Sequence, residues 1–378
     1  MNSSMFPVTQ PGFAGFIEEL ELLGIERGTA ADPGATAFAV LRAASVQRWL
    51  LVPLLGRAAV ADALRMLTPM SRRARLAKSA VLALNGAGLR PVWTRNRIYL
   101  KARAHASCLH SWPSAAFFSG TPGPERKITV QLRGAHSREN AYLKLACSPH
   151  ANTLIANEVR ALRSVRKLDL SSALLPSVLG YTRFGPRRAY ICSDETRPDF
   201  KPARTLGQGH SGFLDEMAAK TAAPLSGQFL YGLQQQHAAA AKSLLPASTD
   251  LAARGLETLR RILARSTVPA ALAHGDFTPW NCTATGARLY VFDWELSARR
   301  PLGWDHLHFL LSTGAALPSG DPAPLLRLMQ ARWHRGSPDG ARFLLIAYLL
   351  DRIFRGNACP AGPVMLQRLL AAPAQDAA

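Results

Sequence analysis

The pattern of apolar and polar positions changes character along the chain. Residues 1 to about 110 are rich in Ala and Arg and are cut by "ADPGAT", "LTPMSRR" and "LNGAGLRP". Breakers of this kind separate short helices, so the pattern predicts a helical N-terminal segment. Within it, the apolar run "RWLLVPLLGR" predicts a buried core helix. From residue 111 the runs shorten into strands: "AAFF" (115–118), "KITVQL" (127–132) and "AYLKLA" (141–146), separated by the turn-rich "SGTPGPER" and "RGAHSREN". "ANTLIANEVRALRSVRKL" (151–168) places Ile155, Val159 and Leu162 at helical spacing. Two more strand-like runs follow, "SVLGYTRF" and "RRAYICS", joined by Gly185-Pro186. Beyond residue 200 the pattern is mostly helical, as in "GQFLYGLQQQHAAAAKSLL" (227–245) and "RFLLIAYLLDR". The expected fold class is α+β: a helical extension (1–110), a small antiparallel β lobe with one helix (111–196) and a larger α-helical lobe (197–378). A two-lobed plan leaves a cleft, the usual place for a ligand.

Bulk composition narrows the class. The chain has 378 residues, 48% hydrophobic and 19% charged, which is globular composition with length for two or three packed units. Its five cysteines stand singly with no CxxC pair, so neither a zinc site nor a disulfide framework is indicated and a reducing cytoplasm is expected. The N-terminus lacks a basic start and has glutamates in its apolar part, unlike a signal peptide. No apolar run approaches the roughly 20 residues of a membrane span. The formal net charge of +20 is unusual, but Lys and Arg are spread along the whole chain with no RNA-binding or zinc-finger motif. No specific nucleic-acid partner is expected.

The chemistry concentrates in "LAHGDFTPWNCTATGARLYVFDWE" (272–295). Asp276 and Asn281 are too close to lie on separate elements, and Gly275, Pro279 and Trp280 argue against a helix, so this is a tight loop. "RLYVFDWE" reads as a strand that delivers Asp293 at its end. Two carboxylates and a carboxamide then converge, the all-oxygen set that Mg²⁺ prefers. Asn281 and Asp293 suit the metal. Asp276 suits a substrate hydroxyl, orienting it and accepting its proton during phosphoryl transfer. His274 suits a supporting role in this catalytic loop, hydrogen-bonding its backbone and keeping Asp276 aimed.

This H-x-D-x-x-x-x-N segment, followed by a strand and D-W-E, resembles the catalytic and metal-binding segments of aminoglycoside phosphotransferases and choline kinases, the small-molecule branch of the protein-kinase-like fold. The resemblance implies that Asp276 is the base and that Asn281 and Asp293 bind metal. "GWDHLHFL" (303–310) resembles the helix after the metal loop, where Asp305 would steady the catalytic loop. Trp294 and Glu295 replace the Phe and Gly of the protein-kinase D-F-G, and Glu295 supports the small-molecule branch.

The same fold needs a strand lysine for the α/β-phosphates and a helix glutamate to hold it. In "AYLKLA", alternation sets Lys144 on the face opposite Leu143 and Leu145. Glu158 lies between Leu154 and Leu162 on one helical face, and a carboxylate in an apolar stripe needs a partner, for which Lys144 is the candidate. Gly120 and Gly123 in "SGTPGPERK" (119–127), between the first two strands of the lobe, are candidates for a phosphate-covering loop, although the segment is not G-x-G-x-x-G. "CSDETRP" (192–198), with Ser193, is the expected hinge against the nucleotide base. His237 is read as structural, and His306 and His308 as packing or surface residues.

The expected activity is therefore Mg²⁺-dependent transfer of the γ-phosphate of ATP, or GTP, to a hydroxyl of a small molecule. The alternative is a catalytically inactive, kinase-like nucleotide-binding or regulatory protein. From residue 305 onward five aspartates and no glutamate face seven arginines. That excess argues against polycationic aminoglycosides and choline, and for a neutral or anionic acceptor such as a sugar or glycolipid precursor. Arg72, Arg73, Arg75 and Lys78 beside "WLLVPLL" would suit an anionic membrane surface, and a helical layer packed on the small lobe is the plainer use of the same segment.

Overall fold

The computed structural model describes residues 11–43, 47–67, 69, 71–103, 112, 114–134, 140–196, 199–202, 205–285, 288–313, 320–358 and 360–371. The chain divides into two compact units, Met1–Lys167 with Leu175–Thr196, and Leu168–Leu174 with Arg197–Ala378. Cys108 and Cys359, and part of the expected hinge (197–198), lie outside the described residues.

The first unit begins with α1 (Pro11–Glu21), β1 (Ile25–Gly28), β2 (Thr36–Ala43) and β3 (Arg48–Pro53). It continues through α2 (Arg57–Ala63), α3 (Arg72–Gly86), α4 (Arg90–Trp93), β4 (Arg97–Ala102), β5 (Ser114–Phe118), β6 (Lys127–Arg133), β7 (Ala141–Ala146) and α5 (Pro149–Val165). After β8 (Ala173–Leu174), which belongs to the second unit, β9 (Val178–Phe184) and β10 (Arg187–Ser193) complete it. Nine strands form one sheet in the order β1-β4-β2-β3-β5-β6-β7-β10-β9, and every neighbouring pair is antiparallel.

This corrects the helical reading of residues 1–110. Four strands of the sheet come from that segment, and β3 joins β5 through Leu50↔Phe118 and Leu51↔Phe117. "RWLLVP" is a strand, not a helix, because it is buried on both faces. Trp49 and Leu51 pack with Phe13, Phe16 and Phe38 on one side, while Leu50 and Val52 pack with Ala39, Val60 and Leu64 on the other. A strand covered on both faces needs no alternation and reads as a continuous apolar run. The same burial takes Trp49–Val52 out of any membrane contact. The β5–β6 turn with Gly120 and Gly123 consequently joins the fifth and sixth strands of the unit.

Helix α5 packs on β7 and β10. Ser148 caps it, accepting from Ala151 N at 2.9 Å, and Pro149 occupies its first turn, where no amide partner is lost.

The second unit contains β11 (Lys201–Pro202), α6 (Gln208–Thr221), β12 (Ala223–Pro224), α7 (Gly227–Ala240) and α8 (Pro246–Arg265). Then come β13 (Pro269–Ala273), β14 (Cys282–Thr285), β15 (Arg288–Val291), β16 (Ala298–Pro301), α9 (Trp304–Ser312), α10 (Ala323–Trp333), α11 (Pro338–Phe354) and α12 (Gly362–Ala371). Two small sheets, β11-β14-β15-β8 and β12-β13-β16, carry the loops of interest. The core is helical. Helix α11, "PDGARFLLIAYLLDRIF", is buried along most of its length among residues of α7, α8, α10 and α12. Among the described residues no helix is long and apolar enough to cross a membrane.

Candidate active site

Residues 274–281 form the loop between β13 and β14, and its shape is dictated by its backbone amides. Asp305, in the first turn of α9, accepts from His274 N at 2.7 Å and from Gly275 N at 2.9 Å. Gly275 sits at φ +89, and a Cβ there would lie 2.2 Å from the Leu296 carbonyl oxygen, so only glycine fits. The His274 ring is fully buried. Its Nε2 meets the Phe292 carbonyl oxygen at 2.9 Å, and its Nδ1 accepts from Asp276 N at 3.3 Å. His274 therefore holds the loop, and its bond to Phe292 ties the loop to the end of β15.

Asn281 fixes the other end. Its Nδ2 donates to the Asp276 backbone oxygen at 2.9 Å and to Asp276 Oδ2 at 2.8 Å. An atom placed between two oxygens must be the amide nitrogen, so both amide hydrogens are used and Oδ1 is the atom that could face a cation. Phe292 N donates to the Asn281 carbonyl oxygen at 3.1 Å. Both backbone groups of Phe292 are thus bound to the loop, and the next residue is Asp293, in the left-handed region at φ 70. A non-glycine residue there is uncommon and marks a turn that re-aims a side chain. Asp276, Asn281 and Asp293 are in this way stapled to one short stretch of backbone.

Aromatic rings underlie the loop and account for its apolar residues. Phe277 is fully buried, stacked on Phe213 at 5.3 Å and close to His210 and Phe309, and Trp294 lies 4.7 Å from the His274 ring. Cys282, at the start of β14, is no nucleophile. Burial pushes its thiol up to about 12, so it stays protonated.

In the first unit, Lys144 Nζ contacts Glu158 Oε1 at 2.7 Å, joining β7 to α5. Lys144 and Glu158 are thus paired as their sequence positions predict. Gly120, at φ +71, is required by the β5–β6 turn itself: a Cβ would lie 2.1 Å from the Lys127 carbonyl oxygen. Gly123 faces open space. Ser193, at the end of β10, accepts from Ser177 N at 2.8 Å and donates to Glu195 Oε1 at 2.8 Å, so its hydroxyl braces the segment after the strand.

No family model matches the sequence, and no curated protein matches it. Solved structures do. A thermostable mutant of aminoglycoside phosphotransferase APH(4)-Ia, in ternary complex with AMP-PNP and hygromycin B, matches with a TM-score of 0.50 at 14% identity, over 71% of this chain and 97% of that one. The chain has the fold of that phosphotransferase. A choline/ethanolamine kinase family protein from Mesorhizobium loti is similar at a TM-score of 0.45 and 16% identity, over 68% of this chain and 88% of that one.

Within the phosphotransferase fold one residue of the loop's surroundings escapes the sequence reading. His308 is not a surface histidine, and it does more than fill space. It is 3% exposed, its Nε2 lies 2.9 Å from Asp276 Oδ1, and its Nδ1 lies 2.9 Å from the Tyr348 hydroxyl. The available signal was its spacing: His308 stands three positions after Asp305, one helical turn along the same face.

Proposed function

We propose that this chain is a phosphotransferase that moves the γ-phosphate of ATP, or GTP, to a hydroxyl of a small molecule. The observation that carries the reading is the hold on Asp276. Asn281 Nδ2 binds one carboxylate oxygen at 2.8 Å while the side chain keeps 33% exposure. A carboxylate so fixed, with lone pairs to spare, is suited to orient a hydroxyl and take its proton. In the step, that proton passes to Asp276 and the freed lone pair bonds to the γ-phosphorus. The bond from that phosphorus to its bridging oxygen breaks, and the nucleoside diphosphate leaves with the electron pair. His274 does no proton transfer in this reading and serves to keep Asp276 in place.

Asn281 Oδ1 and the Asp293 carboxylate would hold Mg²⁺, which supplies charge neutralisation on the phosphates when bound with them. The donor set fits, being one neutral and one anionic oxygen on adjoining backbone. Lys144, steadied by Glu158, is the candidate for the α/β-phosphates. Gly120 and Gly123 are candidates for the covering loop, and Ser193 for the hinge.

The acceptor is neutral or anionic in this reading. Four of the five aspartates after residue 304 are described, and all four are engaged. Asp305 binds the loop amides, Asp321 accepts from Ala323 N, Asp339 pairs with Arg265, and Asp351 pairs with Arg300 and Arg355. Carboxylates committed in this way are poor partners for a polycation.

The test is consumption of MgATP across a panel of neutral and anionic hydroxyl compounds. Transfer to at least one of them, lost in Asp276→Asn while MgATP affinity is kept, is the expected result. Full turnover in that variant would refute the assignment of the base. Nucleotide binding without transfer to any acceptor would favour an inactive nucleotide-binding protein.

A further inference from the structure

We propose that His308, locked by Tyr348, is a positioning residue that sets the rotation of the Asp276 carboxylate. The proposal rests on the reading of Asp276 as the base. Helix α9 grips the loop with two side chains one turn apart: Asp305 takes the backbone amides of His274 and Gly275, and His308 takes the carboxylate of Asp276. Tyr348, from α11, closes the chain from behind and is 3% exposed.

The polarity of this chain follows from chemistry. An ionised carboxylate only accepts, so His308 Nε2 must carry the hydrogen. A neutral imidazole protonated at Nε2 has a bare Nδ1, which accepts, so the Tyr348 hydroxyl donates. For a neutral ring this leaves one arrangement, Tyr348 O–H to Nδ1 and Nε2–H to Asp276 Oδ1; a ring protonated on both nitrogens keeps the second bond and donates Nδ1–H to the Tyr348 oxygen. A buried imidazole with either nitrogen unbonded is costly, and here both are bonded.

The consequence lies in how Asp276 is held. Asn281 binds Oδ2 and His308 binds Oδ1, so the carboxylate is pinned at both oxygens and cannot turn about its Cβ–Cγ bond. One lone pair of each oxygen remains for a hydroxyl. With His308 removed, Oδ1 would swing freely about the single bond to Asn281. A small misplacement of a reacting group lowers turnover without weakening ground-state binding.

Two measurements on the full chain decide this. The first follows ADP formation from MgATP with water as the acceptor, so no acceptor need be known. His308→Leu is expected to lower kcat about tenfold or more with KM for MgATP within about twofold. His308→Gln, whose amide NH₂ reaches where Nε2–H stood, is expected to recover most of the loss. An unchanged kcat in His308→Leu while Asp276→Asn is inert would overturn the positioning role and leave the base in place. Equal losses in the Leu and Gln variants would assign His308 to packing. Wild-type rates in Asp276→Asn would instead overturn the reading beneath it.

The second measurement needs no turnover. The ¹⁵N imidazole spectrum, with His308 identified by its loss in His308→Gln, is expected to show the Nε2–H tautomer. That signal should move in Asp276→Asn, and Tyr348→Phe should mix the tautomers. An Nδ1–H tautomer, or a His308 signal indifferent to both substitutions, would overturn the proposal.

Discussion

Lys144 Nζ and Glu158 Oε1 stand 2.7 Å apart, with the glutamate side chain 1% exposed. Two charges so buried are held at the cost of their hydration, and removing one strands the other. Lys144→Met alone is therefore expected to destabilise the protein by about 3 kcal/mol. The double variant Lys144→Met/Glu158→Gln should regain most of that, because no buried charge is left. Urea unfolding of the two single variants and the double decides it; additive losses would mean the two side chains do not interact.

Asp305 satisfies two amides of the loop with its two carboxylate oxygens. Asp305→Ala leaves both donors buried and unpaired, at a cost of about 2–4 kcal/mol. Asp305→Asn keeps an acceptor for one of them and should lose about half as much. Thermal melting of the three proteins should rank them wild type, Asn, Ala, and a variant ranking of Ala above Asn would count against this account.

Gly275 and Gly232 make a contrasting pair. A Cβ at Gly275 would meet the Leu296 backbone, at φ +89, so Gly275→Ala should cost more than about 2 kcal/mol. Gly232 lies within α7, and a Cβ there meets nothing within 4 Å. Gly232→Ala should raise stability by about 0.5–1 kcal/mol through helix propensity and a less mobile unfolded chain. Chemical denaturation midpoints moving in the same direction for both variants would contradict the prediction.

His306 gives stability a pH dependence of definite sign. Burial, with the Arg332 charge adding to it, holds its imidazole down at about 4, and its Nδ1 accepts from Trp333 Nε1 at 2.9 Å. Between the ordinary value of 6.5 and about 4, the unfolded chain takes up a proton that the folded chain refuses. The contribution is complete above pH 6.5 and falls as pH drops through that window, by up to about 3 kcal/mol. His306→Gln keeps an acceptor without titrating, so its stability should flatten across the same range. An identical acid limb in both proteins would show that other groups carry it.

How much of this was legible in the sequence depended on how many faces each element buries. β7 buries one face fully, through Ala141, Leu143 and Leu145, and its alternation is visible, as is the apolar stripe of α5. The paired Lys144 and Glu158 were legible for the same reason, since a carboxylate inside an apolar stripe calls for a cation. The loop residues were legible because Gly275, Pro279 and the spacing of Asp276 to Asn281 leave few backbone paths.

The N-terminal strands were not legible. Those residues, rich in Ala and Arg, favour helix locally, and burial on both sides of β2 and β3 removes the alternation that signals a strand. His308 was missed because its partner Tyr348 is 40 positions away, and only its spacing from Asp305 sets it apart from His306.

The seam between β3 and β5 has a consequence for how the protein can be handled. A chain shortened to begin near residue 111 would strip β5 of one of its two partners and leave the outward amides and carbonyls around Phe117 and Phe118 as a bare edge. The face of Phe117 would lose Phe38 and the α1 aromatics above it. Such a fragment should self-associate through that edge, so the front hundred residues act as a stopper without which the remainder would not stay in solution.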